Sequence, residues 1–493
     1  MLTTMKKSVL TISAIIAASA VMAQSVDDAL RFSQTYQQGT ARSAAMGGAF
    51  GALGGDLSVL STNPAGMSIY KDGEFSFTPC FGNITSNVKF NGFEKEDDKF
   101  NFKMGNIGFV TSHHNGNENG LSGFAFGMSF NRLSDFSENR RVYGRNNNGS
   151  LLDLWSSRAQ FESPDDLYNH GLISELKANQ CSLLEVTDSS RWTYQSIHDI
   201  AGRYDEYQED VKTIKGGINS WDFAFSGVYA EKLFFGASIG IQTVNYKNLS
   251  TYSELDIDNF VDYDYWSLKE EQETRGSGVN FKAGLIYKPV NFLRFGAAIH
   301  SPTFYSLHEK YYGIMEAKYD YDPTVYESNP EDNAPSEYDY RCRTPFKAIF
   351  SGAFIVPNYG LVSVDYEYVD YSKCKFETNE EDNHLYDSDN DYIKDNFKAT
   401  KNLRIGLEGL AGQVAIRAGY AMYSNPYKFI GDDIQRQIIS AGLGFRGNDV
   451  YVDLTGTYHI YNTDCYLYEG NNPALYKLEK HSLYIMATIG FKF

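Results

Sequence analysis

The sequence predicts an all-β chain, a 14-stranded antiparallel transmembrane β-barrel with a small N-terminal helical hatch. Three observations carry this expectation. From Glu74 onward, apolar and polar residues alternate in segment after segment. The connections between segments alternate short and long. Aromatics are abundant, 37 Tyr and 33 Phe in 493 residues, yet mean hydropathy is only -0.40. No run after the first residues approaches the roughly 20 apolar residues of a membrane helix. Strands that hide their apolar residues in alternation escape any hydropathy window.

The first residues read as a signal peptide. Lys6 and Lys7 supply the positive start, Val9 to Ala20 the short apolar run, and Val21-Met22-Ala23 the small-residue cleavage site before Gln24. The expected organisation is therefore a signal at 1–23, a hatch at 24–73 and the barrel at 74–493.

The hatch segment does not alternate. Gly47, Gly51 and Gly55 recur every four residues, so a helix there would carry one smooth stripe for close contact. Asn63-Pro64 would end that helix, because a residue before proline is pushed out of helical geometry. Leu53, Leu57, Val59 and Leu60 make a flexible tail a poor account of the segment, and its expected place is the barrel lumen.

Fourteen strand cores follow: EFSFTP, NIGFV, GLSGFAF, WDFAF, LFFGAS, VNFKAG, LRFGAA, FKAIFS, LVSVDY, LRIGLE, VAIRAG, QIISAG, VYVDLT and SLYIMA. In the last, Leu483, Ile485, Ala487, Ile489, Phe491 and Phe493 share one face, and Ser482, Tyr484, Met486, Thr488, Gly490 and Lys492 the other. Short turns fall at Glu231-Lys232, Pro289-Val290, Pro357-Asn358, Ala411-Gly412 and Gly447-Asn448. Long loops are expected at 82–105, 134–219, 256–277, 321–340, 377–399 and 463–478, with a shorter one at 427–433. Short periplasmic turns and long external loops are the habit of outer-membrane barrels. A soluble β-sandwich or propeller also has many short strands, but not this alternation of loops.

The loop at 134–219 is expected to be partly helical. Ser163-Pro164-Asp165-Asp166 is a capped helix start, with Leu172, Ile173 and Leu176 on one face. Gln195 to Ile214 places Ile197, Ile200, Ala201, Tyr204 and Val211 at helical spacing. Two such helices either pack only on each other or offer an apolar landing site for a ligand.

The remaining motifs point away from catalysis. Gly236-Ala237-Ser238-Ile239-Gly240 matches G-x-S-x-G but lies inside one alternating strand, without the following helix of a nucleophile elbow. Gly442 to Gly447 matches G-x-G-x-x-G but leads into a turn and strand, not a phosphate-binding helix. Asp387, Asp389 and Asp391 open like an EF-hand, but Tyr392 and Lys398 stand where Gly and Glu are needed. No catalytic group, metal site or cofactor is expected. Five cysteines without a close pair argue against a disulfide framework or zinc. The net charge of -18 argues against nucleic acid.

Residues 41–79, ARSAAMGGAFGALGGDLSVLSTNPAGMSIYKDGEFSFTP, resemble the FadL family of outer-membrane long-chain fatty-acid and hydrocarbon transporters, whose members carry an Asn-Pro-Ala motif just before the first strand. Asn63, Pro64 and Ala65 fit that motif in kind and place. The acidic, Tyr-rich loops are similar to those of the Bacteroidetes branch of that family, which also includes barrels serving protein secretion. The resemblance implies passive transport of hydrophobic small molecules or lipids: capture at the external loops, a lumen pocket and a moving hatch. It also implies lateral release through a kinked strand, for which Gly120, Gly123 and Gly127 of the third strand are candidates. Expected partners are outer-membrane lipid, lipopolysaccharide and the barrel-assembly machinery, the last consistent with the terminal Phe493, and the barrel is expected to act as a monomer. The alternative is a structural or secretion-partner barrel of the same fold.

Overall fold

The computed structural model describes residues 26–36, 39–115, 117, 120–259, 261–378, 384–429, 434–468 and 473–493. The expected signal peptide at 1–23 lies outside the described residues. Each of the fourteen expected cores falls in its own wall strand, all pairing antiparallel. These are β1 (Glu74–Phe90), β2 (Phe93–His114), β3 (Leu121–Asp135 continuing as Glu138–Asn146), β4 (Glu206–Tyr229), β5 (Leu233–Leu255), β6 (Tyr263–Val290) and β7 (Leu293–His300 continuing as Phe304–Tyr319). Then come β8 (Ser336–Arg343 continuing as Lys347–Val356), β9 (Gly360–Asp370 continuing as Lys375–Glu377), β10 (Ala399–Ala411), β11 (Val414–Ser424), β12 (Ile434–Arg446), β13 (Val450–Tyr466) and β14 (Leu475–Lys492). The cylinder closes where Phe75 of β1 faces Phe491 of β14 and Asn83 faces Leu483. Closure pairs the first strand with the last and so removes the two terminal edges of the sheet, as backbone polar groups in hydrocarbon require.

An apolar band girds the outside. Phe225 and Trp221 on β4, Phe235, Ile239 and Ile241 on β5, Phe281 and Leu285 on β6, and Leu483 and Ile485 on β14 are exposed. Farther from the short turns the outward residues become polar, as with Thr243 and Asn245 on β5 or Ser277 and Arg275 on β6. A span needs only 9–11 tilted residues, whereas β6 has 28. Several strands therefore stand well above the band. This corrects the expected loops. Residues 82–105 are mostly the β1–β2 ladder around Asn91-Gly92, and 134–219 shrinks to the 147–205 connection. One short turn also moves, because β6 runs through Pro289-Val290 and the chain reverses at Asn291-Phe292.

Two wall strands break side by side, at Pro302 in β7 and Pro345 in β8, each lacking a ladder donor. Thr344 bridges them, its amide donating to the Thr303 carbonyl at 3.1 Å while its hydroxyl accepts from the Thr303 amide at 2.8 Å.

The 147–205 connection folds into a lid over the wall tops. It holds α-helices at Leu151–Ala159, Pro164–Asn169, Ile173–Gln180 and Ile197–Ala201, with a hairpin at Leu184–Asp188 and Thr193–Ser196. The Ser163 start is as expected: its hydroxyl accepts from the Asp166 amide at 3.1 Å, and Pro164 opens the first turn. The expected helix from Gln195 to Ile214 forms only over Ile197–Ala201. It stops at Gly202, in left-handed geometry, and Glu206 onward belongs to β4.

One carboxylate organises the lid. Glu254 of β5 accepts from Ser150 Oγ (2.6 Å), the Leu151 amide (3.1 Å), Gln208 (3.0 Å), Tyr252 (2.6 Å) and Trp266 (3.2 Å). His198 lies fully buried between Glu206 (3.3 Å) and Glu254 (3.5 Å), with Tyr263 Oη at 3.0 Å. Burial alone would lower the imidazole pKa, but the two carboxylates outweigh it and raise it to about 10. A folded value above the unfolded one means that the contribution is complete below about pH 6.5 and fades as pH rises toward the folded value. Subtilisin cleavage within 147–205 should therefore accelerate from pH 7 to pH 10 in the wild type. In His198→Leu, which leaves two buried carboxylates unpaired at a cost of about 3–5 kcal/mol, it should be fast throughout, with that pH dependence gone.

Candidate functional site

Residues 27–36 and 39–73 fill the lumen. The segment comprises α1 (Asp27–Ser33), α2 (Ala41–Ala45), α3 (Val59–Thr62) and a 3-10 helix (Pro64–Ile69). The expected glycine-striped helix is absent. Gly47, Gly48, Gly54 and Gly55 all have φ between 63° and 76°, so the chain turns repeatedly between α2 and α3. Close approach is achieved by these turns instead. A Cβ on Gly47 would lie 2.9 Å from the Tyr420 carbonyl, and one on Gly51 2.0 Å from Ser351 Oγ. Gly55 makes no such wall contact, its nearest neighbour being Ile69 at 4.0 Å.

The wall answers with its own glycines. Cβ atoms on Gly236, Gly284, Gly296, Gly406, Gly419 and Gly442 would strike Pro64, Asn63, Gly51, Met46, Gly47 and Ala45 respectively, all within 2.7 Å. On β3 a Cβ on Gly127 would come 2.8 Å from Met67 Sδ. Asn63 is the pivot of the seal. Its Oδ1 accepts from the Ala65 amide at 3.2 Å, and its Nδ2 donates to the Gly51 carbonyl (2.6 Å) and to the Leu285 carbonyl of β6 (3.2 Å). Pro64 then starts the 3-10 helix at a position needing no donor.

Ion pairs fasten the same seam. Arg42 makes two 3.0 Å bonds to Glu408 of β10, and the network continues through Arg417 and Asp453 to Arg446. Ser238, the centre of the G-x-S-x-G match, donates to the Leu60 carbonyl at 3.0 Å within β5.

Above the hatch, α1 lies in an apolar chamber. Ala29, Leu30 and Phe32 pack with Leu133, Ile218, Val244, Tyr305, Tyr340 and Phe376. Between α1, Ser61-Thr62 and the β7–β8 breaks a polar cavity of about 60 Å³ remains, lined by Lys282, His300, Lys347, Glu367 and Arg404. That is room for about two waters.

The β2–β3 ladder runs only from Asn106 opposite Asn131 to His114 opposite Gly123. Beyond Asn106, β2 has no backbone partner on that side among the described residues. Side chains bridge the gap: Lys103 and Asn101 reach Asp135 at 2.6 and 2.8 Å, and Asn139 donates to the Asp98 carbonyl at 2.9 Å. Phe100 and Phe102 face outward here, 67% and 59% exposed. Phe136, at the break in β3, turns inward against Phe32 of α1, with ring centroids 6.4 Å apart. The chain thus forms a plugged cylinder with an incompletely laddered seam at the height of outward apolar side chains.

In comparisons with solved structures, a Pseudomonas aeruginosa FadL homologue shares 13% identity, with 92% of this chain and 98% of that one aligned at a TM-score of 0.53. The Pseudomonas putida toluene transporter TodX shares 14% over 93% and 100%, at 0.52, and the Ralstonia pickettii toluene transporter TbuX 12% over 93% and 99%, at 0.51. The fold is that of the FadL-type channels. No protein-family model and no curated protein matches the sequence.

Within a barrel of this fold the sequence-derived positions separate. Asn63, Pro64, Ala65, Gly47 and Gly51 meet at the hatch–wall seam. Gly123 and Gly127 lie in the fully laddered part of β3, and Gly120 in the turn before it. The β2–β3 gap lies higher, and the short polar residues Asn101, Asn131 and Asp135 were its only trace in sequence. Leu172, Leu176 and Ile197 are buried in a core shared by the lid and the wall tops, Ile173 and Tyr204 are half-buried, and Ile200 is exposed.

Gly284→Val tests the seal directly, because a Cβ there would lie 1.9 Å from Asn63 Oδ1. Overpacking of about 1–3 kcal/mol is expected. Trypsin should then cut at Arg42 or Lys71 in the variant but not in the wild type, while the barrel keeps its heat-dependent gel mobility.

Proposed function

We propose that the protein is an outer-membrane channel for hydrophobic compounds, long-chain fatty acids or hydrocarbons, crossing passively. The observation that carries this reading is the β2–β3 gap, which opens beside an apolar chamber and above a closed hatch. A molecule entering from the lid side meets Asn63-Pro64-Ala65 and the charged seal beneath it. The way sideways is closed only by side chains, with Phe136 and Phe32 at its inner end. Burial of each CH2 is worth about 0.8 kcal/mol, so an apolar passage captures such molecules from dilute solution and gives them up to the membrane. The 60 Å³ cavity is too small for them, so α1 must withdraw, and displacement of α1 is the gating step of this reading. Toluene transport by TodX and TbuX, and the monoaromatic hydrocarbon channel CymD of the same fold, support this substrate class.

Uptake of radiolabelled oleate and toluene by cells lacking the gene tests the reading, and uptake unchanged for both would refute it. The route is tested by the double variant Asn101→Cys with Asp135→Cys, whose native side chains touch across the gap. Oxidation should reduce uptake to that of cells lacking the gene, and reduction should restore it.

Arg42→Ala removes a hatch cation and leaves Glu408 held by Arg417 alone. Loss of one partner from a buried pair costs about 3–5 kcal/mol. Planar-bilayer recordings of the variant should show frequent openings where the wild type is closed.

A further inference from the structure

The β2–β3 gap is rich in cations, although the chain carries a net charge of -18. Asn139 of β3 reaches across the gap to the Asp98 carbonyl and faces Thr213 in the β3–β4 ladder. Lys99 follows Asp98 on β2, and Lys215 stands two residues from Thr213 on β4, close enough for its ammonium to act on that of Lys99. Among the described residues neither ammonium forms an ion pair. Their neighbours on the outer face are matched. Lys247, directly opposite Lys215 across the β4–β5 ladder, pairs with Glu271, and Arg275 pairs with Glu273. Deeper in the gap, Lys103 and Arg132 share the carboxylate of Asp135, at 2.6 and 3.7 Å. Four cations thus line the gap against two acids, Asp97 and Asp135, and among the described residues only Asp135 pairs with any of them.

Beside the lysines the outer wall is apolar. Phe81 of β1 packs on Phe100 and Phe102 of β2, with ring centroids 6.5 and 5.0 Å apart, and all three rings are exposed. The next outward residues up these strands, Thr85 and its ladder partner Asp98, are polar. The lysine pair therefore stands at the upper edge of the apolar band, where hydrocarbon gives way to head groups, and beside the edge of β2 that the ladder leaves open.

We propose that Lys99 and Lys215 form a binding site for the carboxylate of a long-chain acid leaving through the gap, its acyl chain lying on Phe81, Phe100 and Phe102. Two unpaired ammonium groups side by side repel each other. An anion between them relieves that repulsion and accepts charge-assisted hydrogen bonds from both. A neutral hydrocarbon gains nothing from the pair, so the site favours anionic amphiphiles over toluene-like molecules. The proposal rests on the lateral route of the transport reading and names which of its two substrate classes this chain prefers.

Uptake of radiolabelled oleate and toluene by cells that carry only the variant barrel tests it. The pair Lys99→Gln with Lys215→Gln should lower oleate uptake about tenfold and leave toluene uptake as it is. The pair Lys99→Arg with Lys215→Arg should keep both, and Lys247→Gln should change neither. Native mass spectrometry of the full barrel in detergent, with oleate and oleyl alcohol as probes, gives a readout that needs no transport. Wild type should retain oleate under activation that strips oleyl alcohol, and the glutamine pair should lose that preference. Oleate uptake unchanged in the glutamine pair, loss of both uptake probes together, an equal effect of Lys247→Gln, or equal retention of oleate and oleyl alcohol by the wild type would overturn the proposal. If the wild type takes up neither oleate nor toluene, the transport reading fails, and the mass-spectrometric preference and its loss in the glutamine pair decide the site alone.

Discussion

Contact between hatch backbone and wall backbone governs this molecule. A barrel of this girth encloses more space than its inward side chains fill. Here the space is closed by bringing a second layer of chain against the first, with wall glycines at 236, 284, 296, 406, 419 and 442 where the two backbones come closest. Without those glycines the hatch would stand off by a side-chain length, and Asn63 could not reach the Leu285 carbonyl across the seam. The same thinness shapes the outer wall, where alanines on β5 to β7 leave a groove directly behind the motif.

The seal is polar where the outer wall is oily. Arg42, Glu408, Arg417, Asp453 and Arg446 form a chain of alternating charge between hatch and wall, and Lys282 pairs with Asp222 nearby. Such pairs repay their desolvation only while geometry is kept. They hold the hatch to the wall through one connected network. Among the described residues α1 meets the chamber along its apolar face by packing, with no ionic network like that of the seal, so the upper plug is held by packing and the lower by charge. The gap between β2 and β3 opens onto the packing-held half, where Phe136 meets Phe32.

The lid extends this logic outward. Strands that outrun the membrane make an aqueous turret, and Glu254 and His198 pin its cover through buried, fully bonded charges. Its apolar residues pack on one another and on the wall tops, as Trp155 does on Trp266, which leaves Ile200 as the exposed member of the six expected to greet a ligand.

Period-two alternation fixes which residues face lipid and which face the lumen, and it is local, so all fourteen strands were legible in the sequence. So was Asn63-Pro64-Ala65, because a cap followed by proline is a short-range signal. The glycines at 47, 51 and 55 announced close contact but not its form, since spacing of four suits a helical stripe as well as left-handed turns, and only the wall they meet selects between them. Residues 195–214 showed helical spacing, yet pairing with β5 across long sequence separation outweighed it from Glu206 onward. The end of the β2–β3 ladder, the ion network and the outer groove depend on register between strands distant in sequence, and register is decided by closure of the whole cylinder.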